Sequence, residues 1–351
     1  MDASQNTARS DAALSCASGN EWGSRSNRWR AFGASVIGLS HVRKGKPNQD
    51  AIRWFPADDG LEPEGVPVAV AVADGHGETA CVRSHLGARF AVQTAVDVLA
   101  KLATDERWLI SPDVSALRQY AKQLLNRIVS DQWVAQVEAH HEQHPFSDDE
   151  IVLVKGAAAG DGSPLMSKQI LKAYGCTLVA AVVSKSWLLA VQVGDGAIMA
   201  ANASGETHLL IPPNEAHFGD ETTSLCTVPA DMQVVVRPLE GDVPVALMLC
   251  TDGYEKAFPT EYFRTKLLGE YVEYFRKRYG WREVYRDLPG ILEDASARGS
   301  GDDATVGFIV NDGAEWAGFT GRGQELLLGE TPSIEKGESH VTDTVNKDAV
   351  L

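Results

Sequence analysis

Seven apolar runs of six to nine residues punctuate the chain: AFGASVIGL from Ala31, VPVAVAVAD ending at Asp74, CTLVAAVV from Cys176, WLLAVQVGD ending at Asp195, MQVVVRP from Met232, VALMLCTD ending at Asp252 and TVGFIV from Thr305. Their length, and the Gly, Pro and Asp that bound them, predict strands. Helical periodicity falls in two places, residues 78–102 with about 112–143, and residues 258–277 with 281–297. In the first pair Leu117, Ala121, Leu124, Leu125, Ile128 and Val129 recur at three and four, an apolar stripe suited to lie on a sheet. Ser111-Pro112-Asp113 reads as its start, with Ser111 as N-cap and Pro112 at the first helical position. The strands mostly follow one another through short turns and do not alternate with helices, which argues against a doubly wound parallel sheet. The pattern predicts an α+β fold of antiparallel sheets with helix pairs packed outside.

Residues 145–170 are rich in Gly, Ala and Ser and aperiodic, and read as a surface insertion. Residues 1–27 and 321–351 are polar and without periodicity, and read as tails around a single domain over 28–312. There is no internal repeat.

With 44% hydrophobic and 23% charged residues, wholesale disorder and fibrous classes are excluded. No run approaches eighteen apolar residues and the N-terminus lacks a basic segment followed by an apolar one, so neither a membrane span nor an export signal is expected. The excess of 48 acidic over 32 basic residues, a net charge of −16, repels nucleic acid and anionic lipid. It also fits carboxylates gathered around cations. Five cysteines without a CxxC pair, two of them (Cys176 and Cys250) inside apolar runs, read as reduced core thiols of a cytoplasmic protein.

Asp74, Asp195 and Asp252 each end an apolar run and each precede a Gly, in ADGHG, VGDG and CTDG. A single Asp-Gly reads as hairpin chemistry. Three at widely separated strand ends, with His76 beside the first, Asp50 in PNQDA and the pair Asp302-Asp303 in GDDAT, are harder to explain as turns. Oxygen donors of this kind suit Mg²⁺ or Mn²⁺ better than zinc.

The ordered set SHVRKGKPNQDA, VADGHG, YGCTLVAA, VGDGAIM, LCTDGYEKAF and GDDATV, from about Ala31 to Val310, resembles the metal-dependent protein phosphatase 2C family in its bacterial form. The resemblance implies a four-layer α-β-β-α sandwich with a binuclear centre at one end, and a serine/threonine phosphatase using two Mn²⁺ or Mg²⁺ ions with a weaker third. By resemblance Asp74 bridges the two ions and the Gly75 carbonyl binds one. Asp252 and Asp302 hold the other ion, Asp50 touches a metal or its water, and Asp195 joins Asp252 at the third. A bridging hydroxide would attack phosphorus directly, while His76 protonates the departing alkoxide.

The chain departs from the animal pattern in three places. Gln49 replaces a Glu. Gly45 stands where a phosphate-binding Arg is usual, leaving Arg43, Lys44 and Lys46 as candidate phosphate ligands, with Arg43 and Lys46 foremost. Asp303 replaces an Asn and reads as an extra acid on the rim. His41, His85, His208 and His217 have no setting comparable to His76, and His140, His141 and His144 read as a solvated helix end. Trp54, Trp133 and Trp187 read as core anchors, Tyr254 and Phe258 as packing for the next helix, and residues 212–230 as a flap beside the site. The implied partners are a phosphoprotein substrate and a cognate serine/threonine kinase, with no nucleic acid and no membrane. The alternatives are a phosphatase of small phosphoesters, or a binding-only member that lacks the phosphate-binding Arg.

Overall fold

A computed structural model describes residues 28–56, 65–109, 113–156, 163–212, 223–227, 230–240, 243–277 and 279–314. Among the described residues ten strands are formed: β1 (Trp29–Val36), β2 (Ala51–Phe55), β3 (Val68–Ala73), β4 (Leu178–Val183), β5 (Trp187–Val193), β6 (Ala197–Ala201), β7 (Thr207–Leu209), β8 (Gln233–Pro238), β9 (Ala246–Cys250) and β10 (Ala304–Asn311). They make two five-stranded sheets, ordered β1-β10-β9-β6-β7 and β2-β3-β4-β5-β8, and every pairing is antiparallel. All seven expected runs are strands; β2, β6 and β7 are additional.

Alternation along β3 shows how the layers separate. Val68, Val70 and Val72 point into the space between the sheets, where they meet Leu188 and Ala190 of β5, Ile198 of β6, Leu247 and Leu249 of β9 and Ile309 of β10. Ala69, Ala71 and Ala73 face the other way, onto Ala88, Ala91 and Ala95 of the helix Ser84–Thr104. Two facing rows of small side chains let that helix lie close on the sheet. Beside it runs a long helical stretch, Val114–Tyr120, a π-helical turn Ala121–Leu125, and Asn126–Gln143. It buries Leu117, Leu125, Val129 and Trp133 in the same cluster. The other sheet carries Phe32, Met199, Met248 and Phe308 outward against Leu268, Val272, Leu288 and Leu292 of the helices Leu268–Phe275 and Gly280–Arg298. Both helix pairs fall where periodicity placed them, and the architecture is the four-layer sandwich.

Local expectations needed correction. The first long helix is capped by Asp113, whose side chain accepts from Ser115 N and Ala116 N, not by Ser111, which lies outside the described residues. The segment 145–170 is largely helical where described: Asp148–Lys155 opens with a capping box between Ser147 and Glu150, and Ser167–Ala173 begins within it. Trp133 and Trp187 are fully buried, whereas Trp54 on the edge strand β2 is half-buried. Residues 1–27, residues 315–351 and most of the flap over 212–230 lie outside the described residues. No described helix is long and apolar enough to cross a membrane. The described cysteines, Cys81, Cys176, Cys226 and Cys250, are free thiols.

Candidate active site

Antiparallel pairing decides which acids meet. Ala51 at the start of β2 is opposite Ala73 at the end of β3, and Leu178 at the start of β4 is opposite Val193 at the end of β5. In the other sheet Cys250, last in β9, faces Ala197 of β6 and Val306 near the start of β10. The residues just outside these ends, Asp50, Asp74, Asp195, Asp252 and Asp302, therefore share one end of the sandwich. A cleft of about 260 Å³ opens there, lined by Asp74, Asp195, Asp252 and Asp302 together with Gly75, His76, His41, Gln49 and Lys256 among others.

Backbone contacts place Asp74, Asp195 and His76. Asp74 N donates to Thr177 Oγ1 at 3.0 Å, and Thr177 N donates to Asp74 O at 2.8 Å, tying the end of β3 to the approach to β4. Gly75 N donates to Gln49 O, and a Cβ on Gly75 would sit 2.7 Å from the Ser84 backbone and 2.8 Å from Gln49 O, so only glycine fits. Gly194, at φ 97°, makes the turn that brings Asp195 over the cleft. His76 is oriented by its backbone N–H on Gly175 O at 3.0 Å, with its ring against the Gly175 backbone.

Burial and mutual repulsion dominate the electrostatics. Asp74 is pushed well above the usual carboxylate range by burial first, then by Asp50 and Asp252. Burial pushes Asp50 up to about 8, against the opposing effect of Thr305 and Thr251, whose hydroxyls each donate to its Oδ2 at 2.7 Å. Asp50 is 6% exposed and is not among the residues that line the cleft. Burial lowers His76 below its ordinary value, with Glu78 and Asp195 opposing. Desolvated carboxylates forced together are costly alone and are relieved by a multivalent cation. Gln49, which lines the cleft, has a buried Oε1 with no hydrogen-bond partner and so adds a neutral oxygen to the available donors. This donor set fits hard divalent cations.

The basic residues divide. Lys46 Nζ donates to Gly77 O at 3.2 Å and so reaches the rim of the cleft, while Arg43 is exposed on the short helix Leu39–Lys44 and is not among the lining residues. Lys256 was not singled out from sequence. It lines the cleft and pairs with Asp252 four residues before it, a spacing that Asp252–Glu255, the helical turn after β9, makes readable.

Two further residues depart from expectation. Asp303 is 3% exposed, not on the rim, and accepts from Gly38 N at 2.7 Å, Gln49 N at 2.6 Å and His41 Nδ1 at 2.8 Å. A carboxylate takes several backbone donors where an amide's nitrogen would be wasted, which explains Asp in place of Asn. His41 does have a setting comparable to His76: it is 8% exposed and lines the cleft. Of the clustered histidines, His140 is half-buried, with Nδ1 2.8 Å from the Tyr174 hydroxyl, and His144 is exposed.

An acid-lined cleft at the end of a double antiparallel sandwich, with a histidine two residues after one of its carboxylates, has the parts of a cation-dependent hydrolase. The family model described as protein phosphatase 2C matches residues 37–293, and the chain belongs to that family. It is a metal-dependent protein serine/threonine phosphatase by that membership. The match stops before the Asp302-Asp303 turn, whose place in the site rests on geometry. No curated protein matches the chain. Similar solved structures include a bacterial serine phosphatase (14% identity, TM-score 0.47, covering 82% of this chain and 99% of that one). Others are the serine/threonine phosphatase Stp1 from Staphylococcus aureus (14%, 0.46, 81% and 94%) and the catalytic domain of the serine/threonine protein phosphatase PstP in complex with two manganese ions (19%, 0.45, 81% and 98%).

Proposed function

We propose that the cleft hydrolyses phosphoserine and phosphothreonine in protein substrates by direct attack of water on phosphorus, without a covalent enzyme intermediate. The observation that carries this reading is the meeting of Asp74, Asp195, Asp252 and Asp302 with His76 in one cleft. Asp74, the Gly75 carbonyl, Asp252 and Asp302 are assigned to two Mn²⁺ or Mg²⁺ ions, and Asp195 with Asp252 to a weaker third. When bound, such ions supply positive charge to the phosphoryl oxygens and make water acidic enough to deprotonate near neutrality. The chain's own residues do the rest. Asp50, held from behind by the Thr251 and Thr305 hydroxyls, adds its negative charge to the acids that would attract the ions. Lys46 and Lys256 offer cationic contact to the phosphate at the rim in place of the missing Arg. His76, set by Gly175, delivers a proton to the departing serine or threonine oxygen.

The test is phosphate release from a phosphothreonine peptide with Mn²⁺, with Mg²⁺ and with chelator, alongside Asp74→Asn and Asp252→Asn. Metal-dependent release should fall at least about a thousandfold in both variants, with far-UV circular dichroism unchanged. Full activity in folded variants removes the reading, and turnover confined to small phosphoesters moves it to that substrate class.

A further inference from the structure

The short helix Leu39–Lys44 has one buried residue, His41. The helix is fixed against the turn before β10: Ser40 N donates to Gly301 O at 2.8 Å, and a Cβ on Gly38 would lie 2.2 Å from the Asp302 carbonyl carbon. Its imidazole therefore has little freedom relative to Asp302. His41 Nδ1 lies 2.8 Å from Asp303 Oδ2, an oxygen that also accepts from Gln49 N, while Asp303 Oδ1 accepts from Gly38 N. With Nδ1 turned onto Asp303, Nε2 is the ring nitrogen left to face the cleft. Nε2 faces Asp302 Oδ1 across 3.5 Å, and both residues line the cleft.

Two donors each about 2.1 Å from one cation lie about 3 Å apart in an octahedral shell and about 3.4 Å apart in a tetrahedral one. A histidine whose far nitrogen donates to a buried carboxylate while the near one faces a second ligand is the arrangement proteins use to aim imidazole at a metal. We propose that His41 Nε2 is a nitrogen ligand that shares one cation with Asp302, held in register by Asp303. The inference rests on the reading of the cleft as a cation centre and adds to it a donor that the oxygen-only set lacks. Imidazole favours later, softer divalent metals than carboxylates do, so His41 biases the site toward Mn²⁺ over Mg²⁺.

The experiment loads the full chain with one equivalent of Mn²⁺ and records electron spin-echo envelope modulation, with natural-abundance and ¹⁵N-histidine protein. Nitrogen modulation that changes on labelling, persists in His76→Gln and is lost in His41→Gln is expected. Calorimetry should show the Mn²⁺ dissociation constant of His41→Gln raised about 10–100-fold, with a smaller rise for Mg²⁺. Should His41→Gln fail to give a cooperative thermal transition, the labelled wild type and His76→Gln decide alone. Absent modulation, modulation lost in His76→Gln, unchanged Mn²⁺ affinity in folded His41→Gln, or no Mn²⁺ binding each overturns the proposal. The two readings separate cleanly. Nitrogen modulation without phosphate release keeps His41 as a ligand and removes the phosphatase mechanism; phosphate release from protein whose Mn²⁺ shows no nitrogen does the reverse.

Discussion

Asp303 ties the stretch running from Gly38 to Gln49 to the turn before β10, far away in sequence, through Gly38 N, Gln49 N and His41 Nδ1. Asp303→Ala leaves those buried donors without an acceptor, at about 1–3 kcal/mol each before relaxation. A loss of about 3 kcal/mol or more in urea unfolding is expected, and Asp303→Asn, which keeps one oxygen, should cost less. Equal stability of Asp303→Ala and wild type would show that this stretch does not depend on it. The same residue shows what a sequence withholds at this scale. Asp74, Asp195 and Asp252 were legible because each stands at the end of an apolar run beside a Gly. His41 was not, because its partner is 262 positions away and nothing local sets it apart from His208 or His217. Asp303, beside Asp302, looked like a redundant surface acid because adjacency in sequence hides that one side chain points into the cleft and the other into the protein.

At the scale of elements, two contacts seat the helix Ser84–Thr104 behind the His76 turn. A Cβ at Gly87 would lie 1.8 Å from Tyr174 O, a backbone atom that cannot step aside. Gly87→Ala should therefore destabilise by about 3 kcal/mol and lower phosphate release, since Tyr174 precedes the glycine that orients His76. Just before the helix, Arg83 donates to both oxygens of Glu150 at 2.7 and 2.8 Å and to the Tyr174 hydroxyl, with Phe146 under its guanidinium at 4.5 Å. The hydrogen bond from Arg83 holds Glu150 below its ordinary value of 4.5, so its stabilisation is complete above that pH and is lost as pH falls through the lowered folded value. Glu150→Gln should cost about 1 kcal/mol at pH 7, a gap in urea midpoint that closes in acid. A gap independent of pH would mean that packing, not charge, joins the segments. The helix carrying Glu150 was readable from Ser147 and Glu150, a Ser-x-x-Glu start before Ile-Val-Leu-Val, but the Gly- and Ala-rich composition around it outweighed that signal. β6, AIMAA, and the edge strand β2, AIRWF, are five residues each, too short for alternation to separate them from their flanks. The long helices and fully buried strands were legible because their periodicity had length to accumulate.

For the whole molecule, the cleft is a place where the fold is held against its own electrostatics. Asp50 and Asp74 are buried at one sandwich end with Asp252 and Asp302 nearby, in a chain whose net charge is already −16. A group that binds the folded chain and not the unfolded one stabilises it by mass action, about 2.7 kcal/mol at a hundred times the dissociation constant. For a domain of this size that corresponds to roughly 5–10 °C in melting temperature. Saturating Mn²⁺ should therefore raise the melting temperature by that order and chelator should reverse it. Asp74→Asn should abolish the rise and, by replacing the most crowded carboxylate with a neutral amide, should melt above the wild type in chelator. The two effects have opposite signs in one variant, which general damage cannot imitate: a misfolded protein loses the metal response and melts lower as well. A wild-type melting temperature indifferent to Mn²⁺, or an Asp74→Asn variant less stable than wild type in chelator, would mean that the acids are compensated within the protein. The sandwich end would then not be built to wait for a cation.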